Sequence, residues 1–455
     1  MEKTSPLYIS PKPEDGCTAE QPFAAGTGGS EHFRIPGIIT LKDGRLIAVC
    51  DARWDHDGDG AGLDTIASVS EDGGKTWRYT FANYLGDNGN SYHDLSSSFI
   101  DPAIATDGKK AYLIADLFPA GIALNTSRYQ PIAGQNGLDQ RGNLRLRRLE
   151  KDRIAIGEEG YAEAAAQAEY DCYLDLSNGS ICRYADGGRE EDWQVDACFN
   201  MKREDGSTTN LFCSDSPFQP YPTNYLYLTI TEDGWNWSAP KLLNAKREQE
   251  QTLLVGPGNG CYDAVNQRLI FTAYEFTSGY QRSCLLWMDA QETWHRTAPA
   301  TGENWSSEAT AVVLSDATVR CFYRDGFPTL RYTDYRWDSE QGNYLPGEET
   351  DTGLPKTWGN QLSALRYSKK VGGREVILLS TACDEGRSRR KGRIYVLAVR
   401  EDRSLELLST YAVTEGKFAY SCLTERDNGD IALLYEQDDA AITFLTIPKG
   451  NILPQ

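Results

Sequence analysis

The sequence is poor in basic residues. Its 455 residues include 46 Lys and Arg against 66 Asp and Glu, which gives a formal net charge of −20. A protein that binds duplex nucleic acid needs a basic surface to neutralise phosphates, so this composition argues against a nucleic-acid partner. Any anionic ligand must instead be held by a local cluster of cationic side chains.

Long apolar runs are missing as well. No window has 18 uninterrupted apolar residues, and the N-terminal MEKTSPLYISPKPEDG shows no basic region followed by an apolar stretch. We therefore expect neither a membrane span nor a signal peptide, and hence a cytoplasmic protein, or a secreted one if an export signal was trimmed. The 11 cysteines are odd in number, and Cys50, Cys321 and Cys422 lie in apolar, strand-like runs. These residues are expected to be reduced core thiols.

Sequence patterns of metal and nucleotide sites are also missing. The chain has four histidines, none in an HExxH pattern, and no CxxC pair, so we expect no zinc. Asp55–Asp59 resembles the start of an EF-hand loop, but the Gly and Glu that should follow are out of register. Gly256–Gly260 lacks the Lys-Ser/Thr of a phosphate-binding loop. We expect neither a metal nor a cofactor. The histidines are His32, His56, His93 and His295.

Aromatic residues and turn signals are plentiful. The chain has 25 Tyr, 14 Phe and 10 Trp but only 3 Met, together with 42 Gly, and this balance favours strands over helices. From Phe33 onward, short apolar runs flank Asp-Gly or Asn-Gly turns, as in IPGIITLKDGRLIAVCDAR and CLTERDNGDIALLYE. Such turns between apolar runs predict successive antiparallel hairpins. The fold class is therefore all-β.

One hairpin motif recurs along the chain. Ser70–Trp77, SEDGGKTW, is an Asp box: a turn in which the Asp bonds backbone amides while the Trp packs beneath the hairpin. Residues 230–237 and 287–294 are decayed copies that keep the closing Trp. Radial repetition of small sheets, a β-propeller, closes many short strands without long free edges. Six blades would average about 75 residues each, more than four strands need, so the chain must carry an insertion.

The predicted organisation is an N-terminal arm over residues 1–30 and a propeller over residues 31–450. The insertion is expected at about 130–220, where residues 161–170 form the best helix-forming segment by propensity. The alternating run Asn143–Leu149 predicts a strand with one solvated, arginine-rich face rather than an anion site.

The start of the first strand carries a second signal. By itself, Arg34 in Phe33-Arg34-Ile35-Pro36 would be expected to pair with a carboxylate. Together with an Asp box that begins 36 residues after Arg34, this FRIP sequence resembles the sialidase family. The resemblance implies an exo-acting glycosidase with a six-bladed propeller, whose substrate partner is a sialylated glycan.

The resemblance also implies three arginines that bind the sialic acid carboxylate. Arg34 is the first, and Arg324 is the second because Glu308 lies 16 residues before it, as in the family. The third lies in the turn Gly386-Arg-Ser-Arg389, 31 residues before Tyr420. We assign Arg389 to this role rather than Arg387 or Arg390.

The resemblance further supplies the catalytic residues. Tyr420 of Tyr-Ser-Cys-Leu-Thr-Glu is the nucleophile and Glu308 its base. An uncharged nucleophile suits a substrate whose own carboxylate would repel a carboxylate nucleophile. The acid is Asp59, counted from Asp51-Ala-Arg53, with Asp57 as runner-up, and its role requires a raised pKa.

The same comparison assigns supporting residues. Arg53 and Asp101 are expected near the sugar 4-hydroxyl, and Glu436 is expected to brace Arg34. Two positions depart from relatives: Asn259 stands where some have Arg, and Trp358-Gly359 replaces a Tyr, which leaves linkage preference open.

The expected activity is retaining hydrolysis of terminal α-linked sialic acid. Alternatives are an intramolecular trans-sialidase, a hydrolase of a related nonulosonic acid, and a non-catalytic sialic-acid-binding lectin.

Overall fold

The computed structural model describes residues 8–9, 19–60, 62–86, 96–123, 136–149, 170–202, 206–247, 249–277, 280–300, 302, 304–437 and 441–454. The fold is all-β in these ranges, as predicted. None of their helices is long and apolar enough to cross a membrane.

The N-terminal strands pair with distant parts of the chain. After β1 (Tyr8–Ile9) and β2 (Ala19–Phe23), a short 3₁₀ turn at Thr27–Gly29 leads into the first four-stranded antiparallel unit. That unit comprises β3 (His32–Thr40), β4 (Leu46–Arg53), β5 (Leu63–Ser70) and β6 (Arg78–Asn83).

The second unit is interrupted by a five-stranded sheet and a two-stranded sheet. Strands β7 (Ser98–Thr106) and β8 (Ala111–Phe118) are followed by β9 (Leu144–Arg148), β10 (Cys172–Asp175), β11 (Ser180–Arg183), β12 (Arg189–Gln194), β13 (Asn200–Lys202), β14 (Thr208–Asn210) and β15 (Phe218–Pro220). Strands β16 (Tyr225–Thr231) and β17 (Lys241–Leu243) then return to pair beside β8. The predicted helical segment lies outside the described residues, apart from Tyr170.

The remaining units are antiparallel as well. The third is a five-stranded sheet of β18 (Thr252–Val255), β20 (Cys261–Asp263), β21 (Arg268–Thr277), β22 (Tyr280–Met288) and β23 (Trp294–Arg296), in which β18 and β20 both pair with β21. The short strand β19 (Gly258–Asn259) pairs instead with β7 of the second unit. The fourth has β24 (Ser306–Val313), β25 (Val319–Asp325), β26 (Thr329–Asp338) and β27 (Asn343–Pro355). The fifth has β28 (Ser363–Arg366), β29 (Val376–Ala382), β30 (Arg390–Val399) and β31 (Leu405–Lys417).

The last unit joins both ends of the chain. Strands β32 (Ser421–Glu425), β33 (Ile431–Glu436) and β34 (Ile442–Ile447) are completed by β2, and the helix α1 (Lys449–Ile452) follows. An apolar cluster packs this unit against the first one and includes Trp77 and Phe444, whose rings meet edge-on at 5.2 Å. Similar clusters lie between successive units, so each unit buries its sheet faces against its neighbours.

In each of the three Asp-box copies, an Asp side chain accepts two hydrogen bonds from backbone N–H groups of the turn that follows it. Asp72 accepts from the N–H of Lys75 and Thr76, at 3.0 and 2.9 Å. In the decayed copies the offsets differ: Asp233 accepts from the second and third residues after it, and Asp289 from the second and fourth. The sequence repeat therefore corresponds to a structural repeat.

The expected solvated face of the arginine run is wrong for Arg147. This side chain is buried and donates to Gln219, while the Arg145 guanidinium stacks on the ring of Tyr221 at 4.6 Å. Strand β15 pairs beside the strand that carries both arginines and sets Gln219 opposite Arg147. A sequence pattern that alternates charge shows which residues share a face, but not which side chain a neighbouring strand places beside each of them.

Candidate active site

A cavity of about 460 Å³ opens among strand ends of several units. Its walls combine cationic, acidic and aromatic side chains. Among the predicted residues it brings together Arg34, Asp59, Asp101, Glu308, Arg324, Arg389 and Tyr420.

Irregular strand pairing directs three of these residues into the cavity. The register shifts between Arg34 and Gly37 in β3, between Ile100 and Ala103 in β7, and between Ser306 and Ala309 in β24. Bulges of this kind re-aim side chains at functional sites. The residues that the shifts enclose or border are Arg34, Ile35, Asp101 and Glu308.

Two of these strands carry an unusual backbone conformation. Ile35 has φ 62° and Asp101 has φ 59°, and each residue precedes a proline. A positive φ is strained for a β-branched residue and costs roughly 1–3 kcal/mol. The Ile35 N–H donates to Glu436 Oε1 at 2.8 Å, which helps to hold this conformation.

Tyr420 and Glu308 form the central pair of the cavity. The Tyr420 hydroxyl donates to Glu308 Oε1 at 2.7 Å, and both side chains are buried. Nη1 of Arg324 donates to the same hydroxyl at 2.6 Å and to Glu308 Oε1 at 2.5 Å. Burial raises the pKa of the Tyr420 phenol well above its usual value, although Arg324 opposes this rise. The phenol is therefore neutral and its proton already points at a carboxylate.

Three guanidinium groups surround the Tyr420 ring. The central carbons of Arg389, Arg34 and Arg324 lie 5.3, 5.5 and 6.0 Å from the ring centroid. The structure thus brings together the three predicted arginines around one aromatic ring. Their combined charge suits a compact anion bound above it.

Glu436 links Arg34 to the backbone of Tyr420. Its fully buried carboxylate accepts from Arg34 Nε and Nη2 at 3.3 and 3.4 Å, and from the Tyr420 N–H at 3.4 Å. The contact to Arg34 matches the bracing expected from the sequence. The Glu436 carboxylate therefore fixes the position of the Arg34 guanidinium relative to the backbone of Tyr420.

Asp59 lies on the loop between β4 and β5 and reaches the cavity wall. Its Oδ1 accepts from Arg53 Nη1 at 2.7 Å and lies 3.6 Å from Arg34 Nη1. Burial raises its pKa, but Arg53 and Arg34 outweigh this effect and lower the pKa below the usual aspartate value. The raised pKa expected for an acid is thus wrong for this free structure, because two cations face the carboxylate.

The runner-up acid, Asp57, is exposed like Asp59, but Arg53 contacts it at the backbone. Its carbonyl accepts from Arg53 Nη1 at 2.6 Å. Among the described residues that line the cavity, Asp59 is present and Asp57 is not.

Arg53 and Asp101 differ in their access to the cavity. Arg53 is fully buried and donates to Asp51 Oδ2 at 2.9 Å as well as to Asp59. It therefore contacts a residue of the cavity wall, Asp59, rather than the cavity itself. Asp101 lines the cavity, and burial together with the neighbouring Glu308 raises its pKa well above the usual value.

Of the candidates for the third arginine, Arg389 faces the cavity. Its Nη2 lies 3.5 Å from the carbonyl oxygen of Gly359, whereas Arg387 stacks on Trp358 at 4.4 Å and Arg390 begins β30. The other departure, Asn259, donates to the Leu423 carbonyl at 2.8 Å and so ties two units together.

Much of the cavity wall was not found from the sequence. These residues are apolar, aromatic, amide or hydroxyl side chains with no motif of their own, and their places follow only from strand pairing. They include Ile100, Phe118, Leu254, Tyr274, Phe276, Tyr280, Gln281, Asn304, Trp305 and Ser307.

No group of three or more His, Cys, Asp or Glu side chains suited to a metal ion is found in the described part of the chain. In the Asp55–Asp59 run, the Asp59 carboxylate pairs with Arg53.

Comparison with curated proteins gives similarity along most of the chain. No protein-family model matches it. It is 30% identical over 449 residues to "Sialidase B" of Streptococcus pneumoniae, covering 90% of this chain and 62% of that protein. It is 27% identical over 464 residues to "Anhydrosialidase" of Macrobdella decora, covering 92% and 59%. The chain thus spans about three fifths of the length of these relatives.

Solved structures are similar to this chain over most of its length as well. An intramolecular trans-sialidase from Ruminococcus gnavus superposes with a TM-score of 0.77 at 25% identity, over 95% of this chain and 98% of that one. The structure titled "NanB plus Optactamide" gives a TM-score of 0.80 at 25% identity, over 94% and 70%. The similarity in sequence and in structure covers at least nine tenths of this chain.

Proposed function

Because the chain is a homologue of the bacterial-type sialidases, as its sequence predicted, we propose that it is a retaining exo-sialidase. Its substrate would be a glycan that ends in α-linked sialic acid. The observation that carries this proposal is the 2.7 Å hydrogen bond from Tyr420 to Glu308 beneath three arginines.

The arginines would bind the carboxylate on the anomeric carbon of sialic acid. Guanidinium forks give bidentate contacts to a carboxylate, which fix its orientation as well as its charge. Arg34 keeps Nη1 directed away from its Glu436 brace, and Arg389 contacts the protein through one long hydrogen bond of 3.5 Å. Both side chains therefore offer donors to a bound anion.

Tyr420 would attack the anomeric carbon. As its oxygen forms the new bond, its proton passes to Glu308, and the bond to the leaving glycosidic oxygen breaks. Phenols titrate near about 10, so a base is needed at neutral pH. Sialidases with a tyrosine nucleophile are an exception to the usual pair of carboxylates in glycosidases.

Asp59 would protonate the leaving oxygen and then activate the water that releases sialic acid. Two displacements at one carbon retain its configuration. A bound substrate carboxylate would compete with Asp59 for Arg34 Nη1, which lies 3.6 Å from Asp59 in the free structure. Binding would thereby weaken one of the charges that lower the Asp59 pKa.

We assign supporting roles to the remaining predicted residues. Arg53 would hold Asp59 in place, and Asp101 would lie near the sugar 4-hydroxyl. Glu436 would keep Arg34 and Tyr420 in register through its contacts to both.

The proposed architecture is a six-bladed propeller in which each four-stranded unit is a blade. In support, successive units pack against each other through apolar clusters, and the last unit packs on the first. Strand β2 would close the ring by pairing with β34. The strands from β9 to β15 would be an insertion in the second blade.

An intramolecular trans-sialidase is a second candidate. The similarity to "Anhydrosialidase" and to an intramolecular trans-sialidase structure favours it. The leech enzyme of that type was solved with 2,7-anhydro-Neu5Ac. In that reaction a hydroxyl of the same sugar, rather than water, would displace Tyr420.

One experiment tests the function and separates its alternatives. The chain is incubated with a fluorogenic aryl sialoside and with 3′-sialyllactose, and the products are followed by NMR. Release of α-sialic acid supports hydrolysis with retention, and a 2,7-anhydro product supports the second candidate. Binding without turnover would identify a lectin and contradict the proposal. Tyr420→Phe is the matched control.

A further inference from the structure

Residues 356–361 link β27 to β28 and pass behind the cavity. We call this segment the connector. Lys356, Thr357, Asn360 and Gln361 are all buried in it, although their side chains are polar. Buried polar groups need hydrogen-bond partners, and those of the connector lie beside residues of the candidate site.

The first contact is made at the end of β25. Nζ of Lys356 donates to Asp325 Oδ1 at 2.7 Å, and the Gly359 N–H donates to the Asp325 carbonyl at 2.8 Å. Asp325 directly follows Arg324. The connector therefore holds the strand end that carries one of the three arginines.

The second contact is made to the turn before β30. The Thr357 hydroxyl can donate to the carbonyls of Ser388 and Asp384, at 2.9 and 3.0 Å. Ser388 directly precedes Arg389, whose own Nη2 lies 3.5 Å from the Gly359 carbonyl oxygen. The connector thus also supports the third arginine.

The third contact encloses Tyr420. Nδ2 of Asn360 donates to the Ala419 carbonyl at 3.0 Å. Gln361 accepts from the Ser421 N–H at 3.0 Å and donates to the Ser421 carbonyl at 3.1 Å. Two amide side chains therefore hold the peptide groups on both sides of Tyr420.

Glu436 holds Tyr420 from the other direction. Its carboxylate accepts from the Tyr420 N–H, and its own N–H donates to the Tyr420 carbonyl at 2.9 Å. The backbone around Tyr420 is thus fixed by a carboxylate and two amides. This bonding leaves the phenol in place to meet Glu308.

We propose that Asn360 and Gln361 are positioning residues that hold the Tyr420 hydroxyl within reach of Glu308 and of the anomeric carbon. This inference rests on the proposed function, in which Tyr420 is the nucleophile. Displacement of a reacting atom by about 1 Å lowers a rate by about 100-fold. The Gln361 amide suits this task because it supplies both an acceptor and a donor to the Ser421 backbone, whereas Asn360 supplies a donor to the Ala419 carbonyl.

The variants Gln361→Met and Gln361→Glu test this role in the full chain. The Met variant removes, at similar volume, both hydrogen bonds to Ser421 and a longer one of 3.5 Å from Nε2 to the Pro257 carbonyl. The Glu variant keeps an acceptor for the Ser421 N–H. Gln219→Met is the matched control, since Gln219 is a buried amide in β15 that accepts from Arg147. Asn360→Asp tests the other amide if Gln361→Met does not fold.

Two measurements separate positioning from general stability. The first is the rate constant for covalent labelling of Tyr420 at a saturating concentration of 3-fluoro sialosyl fluoride. It is normalised to the amount of protein that is labelled at the end of the reaction, so that unfolded protein does not affect it. The second is the Kd for 2-deoxy-2,3-dehydro sialic acid, which binds through its carboxylate. We expect Gln361→Met to slow labelling by about 10- to 100-fold and to change the Kd by less than about threefold. Gln361→Glu should slow labelling by less. Asn360→Asp, which replaces the donor to the Ala419 carbonyl with an acceptor, should slow it by a factor similar to that of Gln361→Met, and Gln219→Met should leave both values unchanged.

The opposite results would overturn the proposal. These are an unchanged labelling rate in the connector variants, an equal loss in Gln219→Met, or a parallel loss of labelling and of binding. A wild-type chain that is neither labelled nor active on sialosides would overturn the proposed function itself, and with it this role for the connector.

Discussion

Asp59 accepts a hydrogen bond of 2.7 Å from Arg53, a fully buried cation. The Asp59 side chain is itself 59% exposed, so it contacts a buried cation on one side and faces the open cavity on the other. A carboxylate in this position is charged in the free structure. It must gain a proton before it can act as an acid, and this requirement has measurable consequences.

The decrease in kcat/KM caused by Asp59→Ala should depend on the leaving group of the substrate. Because only poor leaving groups need protonation, Asp59→Ala should lower kcat/KM for 3′-sialyllactose by about 100-fold or more. The effect on an activated aryl sialoside should be less than about tenfold. Asp57→Ala is the matched control and should change neither value. The reverse pattern in the two variants would assign the acid to Asp57.

The pH dependence should follow the lowered pKa of free Asp59. A proton on Asp59 becomes rarer as the pH rises above its pKa, which lies below the usual aspartate value, so kcat/KM for sialyllactose should fall with rising pH from acidic pH onward. The decline of kcat with rising pH should begin at a higher pH than the decline of kcat/KM, because bound substrate occupies Arg34 and weakens its effect on the Asp59 pKa. If kcat and kcat/KM decline over the same pH range, this explanation is wrong.

The Asp59→Asn variant serves as a control for this profile. With sialyllactose, the residual kcat/KM of the variant should no longer fall as the pH rises if Asp59 causes the basic limb. Burial raises the pKa of the neighbouring Asp51 to about 7. A limb that survives in Asp59→Asn would therefore point to Asp51.

Arg324 should be sensitive to a conservative change. Arg324→Lys replaces a fork that contacts both Tyr420 and Glu308 with a point charge, so kcat/KM should fall by about 100- to 1,000-fold. Steady-state kinetics with an aryl sialoside measure this loss. Arg387→Lys, which alters a side chain stacked on Trp358, should change kcat/KM by less than about threefold. An unchanged value for Arg324→Lys would remove this residue from the site.

Trp77 should matter for stability rather than for chemistry. It is buried between the first and last units, against Phe444, and Trp77→Ala should cost about 3–5 kcal/mol. Thermal and urea unfolding should show the loss, while the kcat of the folded fraction stays unchanged. The control Val265→Ala alters a side chain that is 78% exposed. A Trp77→Ala protein as stable as this control would contradict the closure of the fold at this contact.

The sequence was informative wherever a residue type is required by local geometry. The Asp box was recognised from Asp72 and Trp77, because the turn needs a short acceptor and a buried ring. Asp-Gly turns gave the hairpins for the same reason. The convergence of Arg34, Arg324 and Arg389 followed from family spacing rather than from any periodicity in the chain.

Other features depend on contacts between distant residues. Nothing local in the sequence indicates that β15 sets Gln219 opposite Arg147, or that Arg53 and Arg34 both face Asp59. The lowered Asp59 pKa is therefore a property of the assembled site. The connector amides Asn360 and Gln361 also went unrecognised, since a buried amide has no sequence signature.

The most direct test of this account is the identity of the nucleophile. The chain is treated with a 3-fluoro sialosyl fluoride, digested and mapped by mass spectrometry. We expect one covalent sialosyl adduct, on Tyr420, and none in Tyr420→Phe, which should still bind sialic acid through its arginines. An adduct on another residue, or wild-type kcat with retention in Tyr420→Phe, would contradict the mechanism.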